Sequence, residues 1–226
     1  MNNFTRVVEM TQSEYQHYIG SNALFKLVMS GGLQRQHYIA YLRETYHLVR
    51  HTSRALALGG ARLRDEHRDL RNWFFEQVQE ENGHDLFCIK DLRNLGENPD
   101  VILSGHPMSG AWGLVCQNYY LATYGNPAGI LGVATATEGL GADFGPAFSK
   151  VLTEHYGYAS NQITFIKSHA GFDIKHLEEA KRAVNELVQD EETLLDIAHA
   201  RRMTLKFYNQ LFMDVLAEPQ VRAQPA

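Results

Sequence analysis

Residues 169–176 read His-Ala-Gly-Phe-Asp-Ile-Lys-His, HAGFDIKH. His169, Asp173 and His176 stand at i, i+4 and i+7, and on a helix these positions lie on one face, one above another. Two imidazoles and a carboxylate in one stripe are a candidate ligand set. The helix that carries them sets the reading of everything around it.

Outward from this stretch the pattern is helical throughout. The motif helix spans about Asn161 to Val188. Asp190 caps a following helix over 191–217, and the tail 218–226 is expected to be disordered. Upstream, Thr11 and Glu14 form a capping box that opens a first helix, ending near Ser30-Gly31-Gly32. A second runs from Gln34 to Leu58 and stops at Gly59-Gly60. A third runs from Asp65 to Leu95, with Gly96 as its C′ residue, and a fourth covers Ser109 to Tyr124. Pro127 sits at the first turn of a fifth, which Pro146 divides. No alternating strand, short repeat or low-complexity block interrupts the pattern. The expectation is an all-α protein, a seven-helix bundle in one domain over residues 1–226.

The totals fit that expectation. A chain of 226 residues with 44 % hydrophobic and 21 % charged residues can build one real core. A net charge of −5 without a basic patch argues against nucleic acid as a partner. No apolar run long enough to span a bilayer exists, and the first residues lack an apolar signal core, so a cytoplasmic protein off the membrane is expected. The two cysteines, Cys88 and Cys116, have no close partners and indicate neither a disulfide framework nor a zinc knuckle. Eleven histidines exceed ordinary usage and suit metal or acid–base chemistry.

Three other segments add carboxylates and imidazoles. EENGHD on the third helix pairs Glu81 with His84 at i, i+3, a spacing that aims both at one metal from adjacent turns. ATATEGLGADFG on the fifth places Glu138 among Ala, Thr and Gly. Small neighbours admit other helices, so this acid is expected to be buried, where it needs a partner: a metal, or a helix-to-helix hydrogen bond. ETYHLVRH on the second aligns Glu44, His47 and His51, either as a further ligand face or as a solvated one beside Arg43 and Arg50. A lone E-x-x-H pair is common on helices. The weight comes from several such motifs on separate long helices within apolar surroundings. Oxygen and nitrogen donors without thiolate suit iron or manganese better than structural zinc. Gly83 and Gly171, beside ligands, weaken their helices, and a local bulge that re-aims a ligand would account for both.

With these residues in view, the chain resembles the haem-oxygenase-like all-α superfamily, which includes haem oxygenase, thiaminase II of the TenA group and the pyrroloquinoline-quinone synthase PqqC. The likeness covers most of residues 11–217. FKLVMSGGLQRQHYIAYLRETYHLVRH, residues 25–51, looks like the superfamily's first two helices. The ligand pattern is most similar to the haem-oxygenase-like di-iron oxidases and oxygenases of the UndA and CADD type. That branch implies Glu81, His84, Glu138, His169, Asp173 and His176 as ligands, with Glu44 as an added carboxylate. It implies two iron ions, Fe(II) at rest and Fe(III) after oxidation, with manganese as an alternative in one site and no haem. It implies O2 and a small organic substrate as partners, in a homodimer. It also implies a weakly held second metal on the motif helix. A self-oxidising variant of the chemistry would draw on Tyr18, Tyr38 or Tyr41, which otherwise serve as core aromatics, with Lys150 as a site lysine or else a surface one. The rival branches match less of the chain. A thiaminase-type hydrolase would use Cys116 as nucleophile, but Thr204 and Tyr208 stand where it has Glu and Trp. Haem oxygenase needs a proximal His near position 18, where this chain has Tyr18 with His17 one residue off. A non-catalytic ligand-binding bundle is the remaining alternative.

Overall fold

The computed structural model describes residues 1–222, and every regular element among them is helical. The chain runs α1 (Asn3–Met10), α2 (Gln12–Tyr15), a π turn (Gln16–Gly20), α3 (Ala23–Met29), α4 (Arg35–Val49) and α5 (Thr52–Arg62). A 3₁₀ turn (Asp65–His67) leads into α6 (Arg68–Glu81) and α7 (Asp85–Asn94). α8 (Pro99–Ile102), α9 (Ser109–Thr123), α10 (Gly129–Glu154), α11 (Thr164–Leu187) and α12 (Glu191–Arg222) complete it. The sequence predicts seven helices; the described residues form twelve α-helical segments, because several expected rods are broken.

The differences have local causes. The first helix begins at Asn3, earlier than predicted, because Asn2 caps it through its Oδ1 on the Thr5 N–H at 2.8 Å. Thr11 makes no capping bond. Its hydroxyl instead donates to the Val7 carbonyl at 2.9 Å and accepts from the buried Arg201 Nε at 3.0 Å. The second rod bends at Arg50-His51, and the third breaks at Asn82–His84, where Gly83 takes a φ of +90°. Pro146 does not divide α10, which continues through it over 26 residues. Packing of α10 against α11 and α12 outweighs the one backbone bond that proline forgoes. Asp190 does cap α12, accepting from Thr193 N–H at 2.8 Å, and Gly96 ends α7 at φ +80°. The last helix runs on to Arg222 instead of stopping at 217; residues 223–226 lie outside the described residues. No helix among them is long and apolar enough to cross a membrane.

The long helices α10, α11 and α12 form the centre, and their fully buried side chains include Leu131, Val184, Leu194 and Ile197. Small residues on α10 set the spacing. A methyl at Gly132 would fall 2.1 Å from the Ile197 carbonyl oxygen on α12. The two backbones therefore touch where a larger residue would hold them apart.

Gly132→Ala is expected to destabilise the protein by about 1–3 kcal/mol through this overlap, although alanine is the better helix former by about 1 kcal/mol. Gly139→Ala, on the same helix with nothing within 4 Å of the added methyl, should be neutral or stabilising. Urea unfolding of both variants checks this, and equal midpoints would refute the steric reading.

Candidate metal centre

Four segments bring the ligand candidates together: the end of α6, the start of α7, the middle of α10 and the first half of α11. Glu81 is the last residue of α6 and His84 the N-cap of α7. The pair is thus split across the Gly83 break, where the sequence predicts one continuous helix with a bulge. Only a residue tolerant of positive φ makes that corner without strain. The corner still brings the two together, with His84 Nδ1 3.2 Å from Glu81 Oε2. At the companion glycine no bulge forms: Gly171 lies within α11 at an exposed position with open space around it.

Glu81, Glu138 and His176 each present a ligand atom within 4.8 Å of the others, the one such group among the described residues. His176 Nδ1 lies 3.4 Å from Glu81 Oε1 and 3.6 Å from Glu138 Oε2. The other predicted ligands border this group. The His84 ring centroid is 4.8 Å from that of His169 and 6.5 Å from that of His176. His169 engages the Phe165 carbonyl through Nδ1 at 2.9 Å, which leaves Nε2 for another partner. Asp173 faces Glu138. A methyl at Gly141 would fall 1.5 Å from Asp173 Oδ2, so the bare α10 backbone makes the space for this carboxylate.

The electrostatics follow from crowding acids in a buried place. Burial pushes the Asp173 carboxyl up to about 9, with the neighbouring Glu138 and Glu81 adding to it. Burial also raises Glu138, against the pull of His176. For His176, burial opposes the charge, but Glu138, Glu81 and Glu80 outweigh it and raise the imidazolium to about 9. Burial takes His169 the other way, down to about 4, and keeps it neutral. Without a cation the cluster therefore retains protons. Even so, Nδ1 of His84 and Nδ1 of His176 are buried without an aligned hydrogen-bond partner. Buried nitrogens left so, beside three carboxylates, are what a bound cation would satisfy. The donor set fits iron.

Sequence reasoning missed Glu80. Its Oε2 pairs with His176 Nε2 at 2.8 Å and its Oε1 with Lys175 Nζ at 2.6 Å. The doublet Glu80-Glu81 carried no signal saying which acid faced inward and which held the imidazole from outside. Phe172 was missed as well; its ring stacks on His84 with centroids 5.5 Å apart while remaining 41 % exposed.

Four expectations do not join this cluster. Glu44 is buried elsewhere, its oxygens taken by Arg43 Nε at 2.8 Å and by the Met108 N–H at 2.7 Å, so it ties α4 to the start of α9. Lys150 is on the surface, 4.0 Å from Glu154. Tyr18 lies in the π turn, outside the cavity beside the cluster, as does its neighbour His17. Cys116 is exposed on α9 and equally absent from that cavity.

The cavity occupies about 220 Å³ and reaches Glu81, Glu138, His169 and Asp173 on one wall. Tyr41, expected as a catalytic tyrosine, lines it together with Tyr208. Burial raises both phenols well above their usual range, so both keep their protons. Most of the remaining wall is aliphatic and aromatic.

The fold is similar to a domain of unknown function with a haem oxygenase-like fold from Shewanella denitrificans OS217, at 22 % identity and a TM-score of 0.87, over 99 % of this chain and 96 % of that one. It is similar to a TenA homologue from Pseudomonas syringae pv. tomato DC3000, at 13 % identity, TM-score 0.80, over 94 % and 91 %. It is similar also to haem oxygenase from Leptospira interrogans, at 15 % identity, TM-score 0.71, over 95 % and 100 %. No curated protein sequence matches. Residues 39–209, which span every residue of the cluster, match the family described as iron-containing redox enzymes. With a haem-oxygenase-like fold and that match over most of its length, the chain belongs to the family of iron-containing redox enzymes.

Proposed function

We propose that the protein is a non-haem di-iron enzyme that uses O2 to oxidise or oxygenate a small organic substrate. The observation that carries this reading is the convergence of Glu81, Glu138 and His176, with His84, His169 and Asp173 beside them, on the wall of a largely apolar cavity. Those three carboxylates and three imidazoles would hold two irons, and manganese in one position suits the same donors. Iron bound there supplies the activation of O2, which no side chain of this protein can perform. N-oxygenation, hydrogen abstraction, decarboxylation and C–C cleavage all fall within that chemistry, as does oxidation of the chain's own Tyr41.

The chain's residues do the rest. Glu80 grips His176 through Nε2 and so turns Nδ1 toward Glu81 and Glu138. Gly141 leaves the space in which the Asp173 carboxylate sits. The aliphatic and aromatic walls exclude water from the reacting side. Tyr41 and Tyr208 offer protonated hydroxyls to a bound substrate. The reading includes a small-molecule substrate, O2 and a cytoplasmic homodimer.

After anaerobic Fe(II) loading and desalting, elemental analysis by mass spectrometry should find close to two irons per chain. His176→Ala and Glu138→Ala should lose most of it while retaining the helical circular dichroism of the parent. No iron in the wild type would sink the proposal; one iron would reduce it to a single tight site. Gly141→Ala should fold normally yet bind Mn(II) at least tenfold more weakly, since the new methyl displaces Asp173. An unchanged titration would show that Asp173 is not a ligand. Glu80→Gln, which keeps the side-chain size, should weaken Mn(II) binding about 10- to 100-fold through His176 alone. Unaltered affinity in that variant would show that Glu80 does not orient the ligand.

A further inference from the structure

A second pocket, of about 200 Å³, lies between two helix breaks: the α4–α5 bend at Arg50-His51 and the α6–α7 corner at Gly83. The bend supplies Tyr46, Arg50, Ser53 and Arg54 to its wall, and the corner supplies Glu81 and Asp85. The exposed surface of this pocket is almost wholly polar, whereas the cavity beside the cluster is largely apolar.

Neither arginine is spent inside the protein. Among the described residues, Arg50 and Arg54 form no ion pair and no side-chain hydrogen bond. The Arg50 guanidinium lies over the Tyr46 ring, 5.1 Å from its centroid. Asp85 shares the pocket but pairs with neither arginine. Glu81 is engaged by His84 at 3.2 Å and by His176 at 3.4 Å. Two guanidiniums on one small pocket repel each other, and an oxyanion between them converts that repulsion into attraction. The guanidinium fork matches the paired oxygens of a carboxylate or a phosphate. The first turn of α5, which carries Ser53 and Arg54, adds to this bias. It contains no acid, and its N-cap His51 makes no side-chain capping bond, so the positive end of the helix is unanswered.

We propose that this pocket binds the oxyanion of a small molecule, a carboxylate or a phosphate, between Arg50 and Arg54. Val49 and Glu81 line both this pocket and the apolar cavity. An occupant therefore adjoins a residue of the candidate metal centre without entering the cavity. Neither arginine is among the candidate metal ligands, so the site stands or falls independently of the iron reading.

Backbone amide NMR of the EDTA-treated, desalted protein at pH 7.5 reads the pocket directly, because Gly83 sits in its wall. Sodium phosphate and sodium acetate are the probes, each compared with sodium chloride at equal ionic strength. Saturable shifts of the Gly83, Ser53 and Arg54 amides with phosphate, acetate or both are the expected result, and the tighter probe identifies the group. Chloride should give only a linear drift. Replacing both arginines, Arg50→Gln with Arg54→Gln, should weaken the saturating probe at least tenfold at an unchanged melting temperature. Arg64→Gln, at an exposed arginine outside the pocket, should leave the affinity as it was. Undiminished affinity in the double variant overturns the proposal. So do shifts that saturate only away from the pocket, or a chloride response equal to that of both oxyanions; these two readings need only the wild type, whatever the variants do to folding.

Discussion

The structure turns on one electrostatic constraint: three carboxylates and three imidazoles are held largely out of water within a helical bundle. An unpaired ion in such a place costs several kcal/mol. Protons meet the constraint where no cation does: burial and neighbouring acids push the Asp173 carboxyl up to about 9, the surrounding carboxylates raise the His176 imidazolium to about 9, and burial keeps His169 neutral. Protons satisfy charge but not geometry, and two imidazole nitrogens remain without aligned partners. The fold maintains this arrangement because the elements that carry it are fixed by unrelated packing, chiefly the close contact of α10 with α12 and the seating of α11 on α10.

The architecture separates tasks along the chain. The carboxylate–imidazole cluster gathers on α6, α7, α10 and α11. A second buried charged group, Arg43 with Glu44 and Glu218, bridges α4 and α12, and Glu44 also receives the first turn of α9. Both groups draw glutamates inward, Glu44 fully and Glu81 and Glu138 in large part, but only the second supplies an arginine. The contrast explains why one reads as structural and the other as a site for a cation.

Much of this was legible in the residues. HAGFDIKH needed only helical periodicity to place His169, Asp173 and His176 on one face, and the small neighbours of Glu138 announced a close helix contact. What spacing could not convey was the choice between equivalents. In Glu80-Glu81 nothing in the sequence told the inward acid from the outer one. Glu44 sat at ligand-like spacing from His47, yet a neighbouring arginine and a distant backbone N–H claimed it, a long-range event outside any local pattern. Helix continuity was misjudged for the same reason. Pro146 promised a break that tertiary packing overrode, whereas Arg50-His51 bends with neither glycine nor proline to signal it.

The ring of Phe172 gives the centre two unlike sides. Toward α4 and α9 lies a cavity walled by many side chains; on the other side Phe172 lies against both imidazoles, joined by Phe87 at His84 and by the Glu80 carboxylate at His176. The His84 and His176 imidazoles therefore lie beneath partly exposed aromatic surface, whereas His169 and Asp173 face the cavity.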